Sequence, residues 1–104
     1  MPDQIKRRAV AIEKSIAQIQ PEKDIRVRLI GIVIDVKENS LVIDDGSGKV
    51  EILFDQPITV RQGQLVRVIT RILPLIDGYE CRAECVQNLE NFDIDLYKRA
   101  KEII

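Results

Sequence analysis

A chain of 104 residues has room for one compact domain and little room for a second. Its 16 Lys and Arg stand against 17 Asp and Glu, a formal net charge of -1, so whole-molecule charge draws it to neither nucleic acid nor an anionic membrane; any such binding has to come from a local patch. With 45% hydrophobic residues and only 4% aromatic, the core must be built from Ile, Val and Leu, which suits strands.

The opening stretch, MPDQIKRRAVAIEKSIAQIQ, is too charged for a signal-peptide core, and no run reaches the roughly 18 apolar residues of a spanning helix. A soluble intracellular protein, in cytoplasm, nucleoid or nucleus, is the expectation. Ile5, Ala9, Ile12, Ile16 and Ile19 recur at helical spacing, which predicts an amphipathic helix within residues 1–21. Pro21 ends it, because the residue before a proline is pushed out of helical geometry.

From Asp24 the period changes to two. Ile25, Val27 and Leu29 alternate with Arg26 and Arg28, and IGIVIDV continues as a long first strand bent at Gly31. KENS is a polar turn, LVIDD a second strand, GSG a turn and KVEILFD a third strand, which together make a hairpin. After the connection Gln56 to Gln64, a fourth strand runs from Leu65 to Leu73, Pro74 to Gly78 turn, and a fifth runs from Tyr79 to Leu89. Strands this short and this close predict a small antiparallel barrel. Beyond Asp93, a plausible N-cap, Leu96, Tyr97, Ala100, Ile103 and Ile104 fall on one helical face, predicting a terminal helix in residues 91–104.

Chemistry is scarce. Asp44 and Asp45 are adjacent, so in a strand they point to opposite faces and do not clamp one ion. GSGKV opens a strand rather than the helix of a phosphate loop, and the tight turn itself explains Gly46, Gly48 and Asp45. There is no His, and no Ser or Cys stands in a nucleophile context, so no catalytic site, metal or cofactor is expected. Cys81 and Cys85, four apart in a strand, fall about 13 Å from each other on one face, too far for a disulfide, and read as two small buried thiols. What remains is binding. Arg26, Arg28, Lys37, Lys49, Arg61, Arg67, Arg71 and Arg82 lie on strands or adjoining loops, where they either line a phosphate groove or serve as ordinary outward charges. Phe54 shares parity with Val50 and Ile52, which points to the core, while its place at the strand end leaves base stacking open.

Taken in order, RVRLIGIVIDV, LVIDDGSGKVEILFD, QGQLVRVITRIL and ECRAECVQNLENF with its following helix resemble the oligonucleotide-binding (OB) domain of the middle subunit of replication protein A. They are also similar to the related telomere-capping subunits and to short archaeal single-strand-binding proteins. The resemblance covers residues 24–104. Ile43, Asp44 and Asp45 match the family's Ile-Asp-Asp run before the hairpin turn, and Phe54 falls where the family has a base-stacking aromatic. The chain stops after its last helix, so the winged-helix domain and Ser-rich tail of the eukaryotic middle subunit are not expected.

The resemblance implies a mainly β protein, a five-stranded Greek-key OB barrel over residues 24–90 with a helix at each end. It implies a non-catalytic subunit of a single-stranded-DNA-binding complex in replication, repair and recombination, with no membrane and no small-molecule substrate. Lys37, Lys49, Phe54, Arg61, Arg67, Arg71 and Arg82 are the candidate nucleic-acid contacts, across the second and third strands and their loops. Leu96, Tyr97, Ala100, Ile103 and Ile104 are the candidate contacts to sister OB subunits. A protein-only scaffold of the same complex and an RNA-binding barrel are the alternatives.

Overall fold

The computed structural model describes residues 10–89. Its strands are β1 (Ile12–Glu13), β2 (Arg26–Val36), β3 (Ser40–Asp44), β4 (Lys49–Leu53), β5 (Leu65–Leu75) and β6 (Gly78–Asn88). Each of the five longer strands starts and stops within two residues of its predicted bounds. They close on themselves in the order β2-β3-β4-β6-β5, with β5 pairing back onto β2. All these pairs are antiparallel except β4 with β6, which are parallel.

Alternation explains the closure. Val27, Leu29 and Val33 of β2, Leu41 and Ile43 of β3, Ile52 of β4, Val66, Val68 and Ile72 of β5 and Cys81 of β6 all point inward and are buried. Fully burying an aliphatic side chain of this size is worth about 1.5–3 kcal/mol, so this single cluster carries the fold. Long β2 serves both sides of the barrel, pairing with β5 from Arg26 to Ile32 and with β3 from Ile32 to Val36. Gly31 sits at the changeover, where a Cβ would lie 2.8 Å from the carbonyl oxygen of Asp44. Only a glycine lets β3 come this close, which is the physical content of the bend predicted there.

The N-terminal helix is overturned where the structure describes it. Ile12–Glu13 form a short strand parallel to β2, and Ile16–Gln18 form a single 3-10 turn. Ile16 enters the core and Ile19 packs against it, whereas Ile12 is 53% exposed. The isoleucines that read as one helical stripe are therefore an extended strap, and the reason lies in its partners. The Asp45 carboxylate accepts the Ile16 N–H at 2.7 Å, the Ser47 hydroxyl accepts the Ala17 N–H at 3.0 Å, and the Ile16 side chain rests on Gly48. Lys14 closes the other end on the buried Asp24 carboxylate at 2.8 Å, and Asp24 also accepts the Gln20 N–H. Tertiary bonds thus override a weak local helix preference. Residues 1–9 of that helix, and the predicted C-terminal helix of residues 91–104, lie outside the described residues.

Two further corrections follow from local geometry. The register of β5 with β6 passes from Ile69↔Cys85 to Thr70↔Ala83, leaving Glu84 as the extra residue of a bulge. A bulge reverses the parity beyond it, so Cys81 is buried but Cys85 is exposed, not a second buried thiol. Pro74, expected in the turn, lies in β5 opposite Tyr79. It is tolerated because β2 pairs with β5 only as far as Arg71, which leaves the other edge of β5 without that ladder at Pro74.

Candidate nucleic-acid interface

The side chains between the inward positions define the outer face. On β3 and β4 these are Ser40, Val42 and Asp44, paired with Leu53, Glu51 and Lys49. Next to β4 comes β6, with Leu53 opposite Arg82. A shallow depression of about 350 Å³ lies between β4 and the β5–β6 hairpin, lined by Lys49, Glu51, Leu53, Leu75, Tyr79 and Glu80 among others. Above it stands the β5–β6 hairpin tip, where Leu75 is 56% exposed and Ile76 fully so.

The charges of this face are largely paired. Lys37 approaches Glu51 at 3.3 Å, and the Ser40 hydroxyl donates to the same carboxylate oxygen at 2.7 Å. The Ser40 hydrogen bond, then Lys37, hold the Glu51 carboxyl below its usual range. Arg82 donates to Glu80 at 2.7 Å and to Asp55 at 3.1 Å. Lys49 has no carboxylate partner among the described residues. Exposed pairs of this kind hold their partners weakly, so a phosphate competes for the cations at little cost.

The other sequence candidates scatter. Arg71 lies on the outer face of β5 between Arg26 of β2 and Arg82 of β6. Arg67 lies farther along β5, where its guanidinium donates to the Gln87 side chain. Arg61 sits in the loop before β5, its N–H bonded to the Gln64 side chain, in a turn that hydrogen-bonds to β2 at Val33. Phe54 follows β4, with its N–H on the Asn39 carbonyl and its partly buried ring packed on the core. It also lines a cleft of about 310 Å³ with Pro57, Ala83, Cys85 and Val86 among others. The structure therefore brings Lys37, Lys49 and Arg82 around one face, sets Arg71 beside Arg82, and puts Phe54 at the edge of the core.

Tyr79 is the aromatic that sequence reasoning passed over. Its half-buried ring packs on the core and lines the depression beside Lys49 and Leu53; burial, then the neighbouring Cys81, push its phenol above the ordinary value. The signal was the apolar tip PLIDGY: a two-residue turn has no local need of Leu and Ile. The two acids of the hairpin are committed to its turn. Asp44 accepts the Gly46 N–H at 2.8 Å, and Asp45 accepts the Ser47 and Gly48 N–H groups and the Ser47 hydroxyl. Gly46 supplies the positive φ of 90°. No cluster of three or more metal-ligating side chains occurs among the described residues, and no described helix is long and apolar enough to cross a membrane.

A closed barrel in this strand order, with a short parallel pair between its third and fifth strands, is the OB fold. Solved structures agree. Telomere capping protein Ten1 from Saccharomyces pombe is 20% identical, with 88% of this chain and 93% of that chain covered and a TM-score of 0.70; the S. pombe Stn1–Ten1 complex gives 21%, 88%, 89% and 0.66. The second OB-fold domain of replication protein A from Methanococcus maripaludis is 14% identical over 76% of this chain and 96% of that one, at a TM-score of 0.64. A replication protein A heterotrimer bound to single-stranded DNA is 13% identical over 73% and 66%, at 0.60. No family model matches the chain, and no curated protein sequence matches it. The resemblance read from the sequence thus holds at the level of the fold.

Proposed function

We propose that this chain is a non-catalytic subunit of a single-stranded-DNA-binding complex of the replication protein A type, serving replication, repair and recombination. The observation that carries the reading is a depression floored by Leu53 and Tyr79 and lined by Lys49, with Arg82 opposite Leu53 on the next strand and Lys37 paired to the lining Glu51. Cations for phosphates beside an apolar floor for bases are the two elements a sequence-tolerant single-strand site needs. Barrels of the same fold in replication protein A bound to single-stranded DNA support it.

Because most of the cations are already paired with carboxylates, one barrel alone binds weakly. Affinity then comes from linking several such modules on one strand. Residues 91–104 are the proposed link, a helix whose Leu96, Tyr97, Ala100, Ile103 and Ile104 pack against sister OB subunits, with residues 24–90 as the barrel it carries. Anisotropy titration of the chain with labelled oligothymidylate at low salt tests the reading: weak, salt-sensitive binding is expected, and a clear preference for RNA of the same sequence would overturn the substrate. The paired charges also favour a second reading, a scaffold subunit that binds protein only. Its signature is no oligonucleotide binding together with tight association with sister subunits.

A further inference from the structure

The register of the barrel carries the proposed interface beyond β3 and β4. Ser40 pairs with Leu53, Leu53 with Arg82, Arg82 with Arg71 and Arg71 with Arg26, so these five positions form one belt at a single level around the barrel. Their inward neighbours Leu41, Ile52, Cys81, Thr70 and Val27 are all buried, so the belt lies on the outer side of the sheet, where Ser40 itself is covered and Leu53, Arg82, Arg71 and Arg26 are not fully buried. Three arginines in a cross-strand row repel one another unless anions intervene. Glu84, the extra residue of the β6 bulge, supplies one anion: it holds Arg26 at 2.6 Å but reaches Arg71 only at 4.0 Å. Arg82 has Glu80 and Asp55. Arg71 is left 57% exposed between two other guanidiniums, the position in the row with the weakest counter-charge.

We propose that a single strand lying across β3 and β4 continues around the barrel over β6 and β5, with Arg82 and then Arg71 taking successive phosphates. The step from Arg82 to Arg71 adds one strand spacing, about 5 Å of track, to the face already described. This rests on the nucleic-acid reading above, and it makes a claim that reading does not: contact with Arg71 requires a strand long enough to leave the β3–β4 face.

The test is anisotropy on the full chain with oligothymidylates of about 4 and about 16 nucleotides, the two ends of the range of single-barrel site sizes, over a series of salt concentrations. For Arg71→Gln we expect several-fold weaker binding of the long strand and a salt slope reduced by about 0.7, one phosphate contact on a single strand, with the short strand unaffected. Arg71→Lys restores the slope, and Lys49→Gln weakens both lengths. Unchanged melting by circular dichroism accompanies the expected result, because Arg71 is exposed. The inference is overturned if Arg71→Gln leaves the long strand unaffected or weakens both lengths equally. If wild type binds neither length, the nucleic-acid reading itself fails.

Discussion

Replacing Asp45 with Ala removes the carboxylate that ties the N-terminal strap to the β3–β4 turn. Its Oδ1 accepts from the Ser47 N–H at 2.8 Å, the Ser47 hydroxyl at 2.7 Å and the Gly48 N–H at 3.2 Å, while Oδ2 accepts from the Ile16 N–H at 2.7 Å. Hydrogen bonds to a charged group contribute about 1.5–3 kcal/mol each, but the turn amides recover water when the carboxylate leaves. The Ile16 N–H is shielded by the strap and counts nearly in full, and losing the cap of the turn adds about 1 kcal/mol, as at a helix N-cap. The expected cost is about 2–4 kcal/mol, a fall in Tm of roughly 10–25 °C for a domain of this size.

The same site sets a pH dependence. Burial opposes ionisation of Asp45, but the Ser47 hydroxyl and the Ile16, Ser47 and Gly48 N–H groups outweigh it and lower its carboxyl below the usual range. For Asp24, burial is likewise overcome, by Lys14 and the Gln20 N–H. A carboxyl lowered on folding contributes stability above its unfolded value, near 3.9, and loses it as pH falls through the folded value. Wild type therefore loses more Tm between about pH 5 and about pH 3 than Asp45→Asn does. Calorimetric scans of wild type, Asp45→Ala and Asp45→Asn read both effects. If Asp45→Ala melts with wild type at neutral pH, the strap is not held as described.

Three other outcomes follow. Gly31→Ala forces a Cβ to within 2.8 Å of the Asp44 carbonyl oxygen and should cost about 1–3 kcal/mol, read as a lower urea midpoint at an unchanged m-value. A maleimide should label exposed Cys85 in the native protein and reach Cys81 only after denaturation, because burial shields Cys81 and pushes its thiol up to about 11; mass spectrometry of peptides separates the two. Leu96→Glu with Ile103→Glu should leave the barrel folded but abolish assembly with sister subunits, and unchanged mass by light scattering would refute the proposed helical link.

The barrel was legible because its information is local and periodic. Alternation in Arg26–Val36 and in Leu65–Leu75 marks a buried face whichever strand lies beside it, and the Asp-Asp-Gly-Ser-Gly run encodes its own turn. The strap was not legible, since isoleucines four apart at positions 12 and 16 fit a helix and a strand equally well. What decides between them is the Asp45 carboxylate, 29 residues away from Ile16 in sequence. Cys85 was misplaced for a related reason: one extra residue at Glu84 shifts parity, and nothing in ECRAECVQ announces a bulge. The candidate interface was legible only as a set of cations. Which of them share a face depends on register between strands, and register placed Arg71 beside Arg82 while leaving Phe54 against the core. Tyr79 and the Leu75–Ile76 tip were not legible as part of the interface because apolar residues in a strand pattern read as core until the hairpin is seen to carry them past the barrel.

Amide chemical-shift mapping of the 15N-labelled chain with unlabelled oligothymidylate at low salt locates the surface that meets the strand. Shifts are expected to concentrate in Ser40–Asp44, Lys49–Leu53, Ile76, Asp77 and Arg82 and to fade as salt is raised. Shifts confined to other surfaces, or none at saturating oligonucleotide, would contradict the proposed interface.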